Sequence, residues 1–324
     1  LYINISVYFA DIDTLLSFKD TFEMLFLLAY IQYISDLYFV HKYGRDASLE
    51  YFKVYEHIDK VLQMNYYEAI KKNIKHSTIY FTITGIISVV FDFIIWGLSL
   101  NWISVAIYSI NYFYFILRIF VVIEITAHIL QVEYRLKSTI DVLEEFYLSS
   151  ITLPDVPFDA RIKRDQLKNG KDLNHLDFLK TIFINREYTI MKLSKCYVLL
   201  LEQVDFINTT YGFRVLNFNI SVWFTITSSI FRFCHRGSLI FLGVYRAEQN
   251  YKKLKEIVRM LDLLLINKKI SNEVRIALKE FRDLVTSRPI QYHAIQFFSL
   301  DFRLMVSITS TIVTYTIIML QYFE

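Results

Sequence analysis

Proline and glycine, the residues that punctuate a chain, are scarce here: three prolines, at 154, 157 and 289, and seven scattered glycines in 324 residues. No Gly/Pro-rich linker divides the chain, so helices are the default. Cysteine is scarcer still, and Cys196 and Cys234 build no disulfide framework. Also missing are HExxH, GxSxG and P-loop signatures and any cluster of histidines with carboxylates. Those absences argue against an enzyme and against a cofactor requirement. A net charge of only +3, with no short basic run, argues against a nucleic-acid partner.

What is abundant is apolar surface. Hydrophobic residues make up 54% of the chain and aromatic ones 17%, and the mean hydropathy is +0.34. Apolar helical segments fall at 1–12, 18–40, 77–100, 102–130, 196–231, 237–264 and 300–323. Each of the longer ones is able to cross about 30 Å of hydrocarbon at 1.5 Å per residue. The seventh is among the clearest, since Leu304 to Phe323 carries no charge. The sixth is weak: "GSLIFLGVY" ends at Arg246, so either its charged face is buried against protein or residues are missing around 231–237. The chain begins at Leu1 rather than Met, and an incomplete N-terminus is expected.

Between these segments lie three basic stretches, 41–75, 131–195 and 246–299, holding 29 of the 35 Lys and Arg residues. If every helix crosses once, all three fall on one side, and the positive-inside bias makes that side cytoplasmic. The fold expected is therefore all-α and polytopic, in the plasma membrane. It has seven transmembrane helices, the N-terminus inside and the C-terminus outside. Cys196 and Cys234 then lie at opposite faces and cannot pair. Residues 46–77 and 249–269 keep a helical rhythm among their charges, so helices extend into the cytoplasm. Residues 149–181, with Pro154 and Pro157, read as a flexible loop.

The last segment poses a specific question, because an apolar helix here carries a polar stripe. Ser307, Thr311, Thr314, Ile318 and Gln321 are spaced by four, three, four and three, which places them on one helical face. Uncharged polar groups in lipid need a partner or water. Packing against a neighbouring helix is one outlet. Lining a shared aqueous axis is the other, with hydroxyl and amide rings around an apolar constriction at Ile318.

The sequence "TYTIIMLQY" at 314–322 resembles the carboxy-terminal signature of insect gustatory receptors: Thr-Tyr, five mostly apolar residues, Gln and Phe. Thr314, Tyr315 and Gln321 match, and Tyr322 stands where the family usually has Phe. The preceding "FFSLDFRLMVSITSTIVTY" (297–315) is similar to the family's approach to that helix. The resemblance implies a ligand-gated, non-selective cation channel, a homotetramer whose seventh helices (300–324) line one central pore. Helices one to six, within 1–299, then supply a ligand pocket in the outer half and cytoplasmic anchor helices. It implies a small-molecule tastant, permeant cations and membrane lipid as partners. Sugar receptors of the family often carry an acid directly after Thr-Tyr; Thr316 stands there in this chain and points to bitter compounds, or to sugars and polyols sensed by another branch.

Pocket residues are inferred from depth and helical face. Asp92 and Trp96 are one turn apart in the third segment; Tyr108, Asn111 and Tyr112 share a face of the fourth, and Asn219 and Trp223 lie in the fifth. Aromatic walls with a few polar groups suit a small neutral ligand. Interfacial-belt placement is the plainer role for the Tyr and Trp residues. Arg118, Glu124, His128 and Arg214 lie deeper, where ion pairs or snorkelling account for them; His128 has no nearby second ligand for a metal. Insect odorant receptors share the architecture and are the alternative. A G-protein-coupled receptor fits less well, since it places its N-terminus outside.

Overall fold

The computed structural model describes residues 31, 33–34, 38, 41–42, 45–62, 66–99, 102–151, 186–225, 230–267, 270–294 and 296–322. These residues are nearly all helical. Helices α1 (Arg45–Leu62), α2 (Tyr67–Ser99), α3 (Trp102–Ile151), α4 (Arg186–Thr225), α5 (Ile230–Ile266) and α6 (Asn272–Ser287) lead to a short ribbon, β1 (His293–Ala294) and β2 (Phe298–Ser299), and then to α7 (Phe302–Tyr322). The expected first segment, 1–12, most of the second, and residues 152–181 of the expected loop lie outside the described residues.

Long uninterrupted helices dominate. α3 has 50 residues, about 75 Å at 1.5 Å per residue, so it runs far beyond a bilayer core. α4 and α5 likewise continue from their apolar segments into the basic stretches, as the rhythm of 249–269 anticipates. The stretch 46–77 does not form one helix: α1 ends at Leu62 and α2 starts at Tyr67.

Two apolar clusters hold the bundle. The larger lies in the charge-rich half and joins α1 (Tyr51, Tyr55, Ile58), α3 (Leu136, Leu143, Phe146), α4 (Tyr197, Leu200), α5 (Ile257, Leu261, Leu264) and α6 (Leu278, Phe281). α6 shows how the sequence dictates this packing. Val274, Ala277, Leu278, Phe281 and Val285 recur at helical spacing on its buried face, and Ser271 caps its first turn through the Val274 amide. Pro289 bars continuation, and the last turn closes with the Arg288 amide donating to the Leu284 carbonyl. The smaller cluster lies in the charge-poor half and joins Phe81 of α2, Ile119 and Ile123 of α3, and Leu239, Ile240 and Val244 of α5.

The two halves differ in what they expose. Around the larger cluster, the outward positions are mostly charged or polar. Around the smaller one α2 turns Ile79, Tyr80, Ile83, Ile86, Ile87, Val90, Phe91 and Ile94 outward. Among the described residues, Tyr67–Phe91 is the one helical stretch long and apolar enough to cross a membrane, and only 17% of its apolar window is buried. Phe302–Thr314 is a shorter apolar stretch of the same kind. The weak sixth segment is part of continuous α5, and its Arg246 meets Glu133 of α3 at 3.3 Å with both side chains largely buried. That arginine, which ends the segment's charge-free run, is thus turned against protein.

Candidate pore-lining helix and its anchor

Asp301 starts α7. Its carboxylate accepts from the backbone amides of Arg303 (3.0 Å) and Leu304 (3.3 Å) and from the Ser299 hydroxyl (3.0 Å), satisfying donors that a helix start leaves free. From there α7 leans on α5 through one face: Leu304, Met305 and Ile308 pack on the smaller apolar cluster. Beside that face runs the polar stripe. Ser307, Thr314, Ile318 and Gln321 are exposed and Thr311 is half-buried; Ile318 is 52% exposed. Thr311 donates to the Ser307 carbonyl and Thr314 to the Ser310 carbonyl, both at 2.9 Å. Such back-bonding uses the hydroxyl proton and leaves oxygen lone pairs directed outward, able to accept from water or to approach a cation. The side chains of Tyr315 and Tyr322 lie outside the described residues.

The segment joining α6 to α7 is held by side chains rather than by an extended sheet. β1 and β2 pair through His293 with Ser299 and Ala294 with Phe298, around a turn where Gln296 adopts φ 59°. Asn208 of α4 acts as a substitute strand. Its amide nitrogen donates to the Gln291 carbonyl (2.8 Å) and its oxygen accepts from the His293 amide (3.0 Å). Tyr197 donates to the Arg288 carbonyl at 2.7 Å. From α5, the Tyr251 hydroxyl accepts from the Tyr292 amide (3.0 Å) and donates to the Leu300 carbonyl (3.3 Å). Asn250, fully buried, donates to the Ile129 carbonyl of α3 and to the Tyr292 hydroxyl. Burial pushes the Tyr251 phenol up to about 12 and also raises that of Tyr292 well above its ordinary value. A groove of ≈ 740 Å³ opens beside the ribbon at the base of α7, lined among others by His293, Phe297, Phe298, Asp301, Arg303 and Ser307.

A second polar layer ties α1, α3 and α4. His128 lies between two phenols, with its Nδ1 3.0 Å from the Tyr51 hydroxyl and its Nε2 3.4 Å from that of Tyr211. Tyr211 donates to Glu124 at 2.8 Å, and the Arg214 guanidinium sits over the Tyr211 ring. Arg135, almost wholly buried, meets Asp59 at 2.8 Å and stacks over Tyr55 at 3.6 Å. Burial outweighs the guanidinium and raises the Asp59 carboxyl; it also pushes Tyr55 up to about 12. Asn208, Asn250, Tyr251 and Arg135 carried no motif in the sequence. The only signal available was a polar residue at an apolar helical position.

Of the residues assigned to a ligand pocket, Asp92 and Trp96 fall on α2, Tyr108, Asn111 and Tyr112 on α3, and Asn219 and Trp223 on α4. Their side chains, and that of Arg118, lie outside the described residues. No family model matches the chain, and neither does any curated protein it was compared with.

Proposed function

We propose that the chain is a chemosensory, ligand-gated cation channel of the insect gustatory receptor kind, in which seven helices cross the plasma membrane and four copies surround one pore. The observation that carries this reading is that Ser307, Thr314, Ile318 and Gln321 of the stripe are exposed, with Thr311 half-buried, while the neighbouring face of α7 packs on α5. A polar stripe that the chain's own bundle leaves exposed requires water or another copy once the helix is in lipid. Arranged around an axis, four stripes supply hydroxyl oxygens for a cation, an apolar ring at Ile318 that closes by dewetting, and amides at Gln321. The outward apolar side chains of α2 and the basic inner stretches support the membrane placement. A tastant binding among α2, α3 and α4 would act on α7 through the hydrogen-bonded segment 288–301.

The test is expression of the chain alone in cells, with currents recorded against a panel of sugars, polyols and bitter alkaloids. Gln321→Ala is expected to alter cation selectivity or unitary conductance and to leave the ligand midpoint within about twofold, a free-energy change below about 0.5 kcal/mol. An unchanged current–voltage relation sinks the pore assignment. Trp96→Ala or Tyr112→Ala is expected to shift the dose–response midpoint instead.

A further inference from the structure

One face of α2 changes character along its length without changing direction. Ile70, Phe81 and Ser88 are buried on the bundle side. On the opposite side Lys71, Lys72, Lys75 and His76 are exposed, and the same face continues as exposed Ile79, Ile83, Ile86, Ile87 and Val90. Only four positions, about 6 Å of helix, separate Lys75 from Ile79. Three ammonium groups therefore stand just below the apolar stripe, within the depth of a headgroup layer. No ion pair engages Lys71, Lys72 or Lys75 among the described residues; Glu68 shares the face one turn further from the apolar stripe. The His76 Nδ1 donates to the Lys72 carbonyl at 2.8 Å, so its Nε2 edge is left to the outside. α5 repeats the order, with Phe241 and Tyr245 exposed and then Lys252 and Lys255, but its cations stand among Glu248 and Glu256, and Arg259 pairs with Glu256.

We infer that the lysine face at the base of α2 is a binding site for the headgroup of an anionic phospholipid in the inner leaflet, bound as the lipid's tails lie along the apolar stripe above it. Charge complementarity and continuity with the apolar face select a lipid over a free anion, which would gain nothing from Ile79 to Val90. The inference rests on the reading of α2 as a membrane span and is independent of the pore.

The experiment uses the full chain in neutral detergent, titrated with dioctanoyl phosphatidylinositol bisphosphate, with dioctanoyl phosphatidylcholine, and with inositol trisphosphate. Bound lipid is counted by native mass spectrometry and the unfolding midpoint is followed in parallel. The bisphosphate lipid is expected to bind and raise the midpoint, and the other two probes are not. At about fivefold per cation near an anionic surface, K71Q/K72Q/K75Q is expected to weaken that binding about a hundredfold. The double variant R259Q/K279Q, neutralised away from the apolar face, is expected to retain it. Equal binding by both variants, or equal response to inositol trisphosphate, overturns the inference while the membrane reading stands. Extraction of the expressed protein from membranes by alkaline carbonate overturns both.

Discussion

Asn208 offers both halves of an amide to two backbone groups of a segment that has little sheet of its own. Removing it leaves a part-buried N–H and C=O without their partner, at about 1 kcal/mol or less for each, since water reaches part of both groups. Asn208→Ala is therefore expected to lower the unfolding midpoint of the detergent-solubilised protein, while Asn208→Asp, which keeps the acceptor, recovers part of it. The phenols of Tyr55 and Tyr251 have folded values near 12 against 10.0 for the free side chain. A raised folded value means that the folded state holds protons the unfolded state has released. Stability is fully present below pH 10 and falls as pH rises towards 12. A melting series across that range checks the sign, and Tyr251→Phe is expected to flatten it. None of these roles was legible in the sequence, because Asn208 and Tyr251 become partners of residues 291–300 only when α4 and α5 pack beside that segment.

At the scale of the element, α7 was the most legible part of the chain. Its length came from the charge-free run, and the face shared by Ser307, Thr311, Thr314, Ile318 and Gln321 came from spacing alone. Its surroundings did not. The packing of Leu304, Met305 and Ile308 on α5 decides which part of the helix is left outward. If Ile318 forms the dewetting ring, Ile318→Ala widens it and is expected to produce current without ligand; Ile318→Phe is expected to suppress ligand-evoked current. Recordings from cells with matched surface expression separate the two. The ribbon 293–299 leaves no mark on the sequence: two-residue strands carry no periodicity, and Pro289 ends α6 without specifying the conformation of residues 290–301.

For the whole molecule, the proposed membrane placement rests on two patterns: three basic stretches that fall on one side if every helix crosses once, and apolar side chains of α2 turned outward. Tags at the two ends probed on unpermeabilised cells are expected to show an accessible C-terminus and a hidden N-terminus; the reverse overturns the orientation. The sequence by itself determined an all-helical chain, because helix breakers are rare and apolar residues recur at helical spacing over long runs. It also determined the polar stripe of the last helix, since a regular helix fixes which residues share a face. Only the tertiary structure decided that α1 and α2 are separate, that Arg246 is neutralised by Glu133, and that Asn208, Asn250 and Tyr251 hold the approach to α7. Those last outcomes depend on contacts between residues 41 to 121 positions apart, and no local pattern encodes which distant group will arrive.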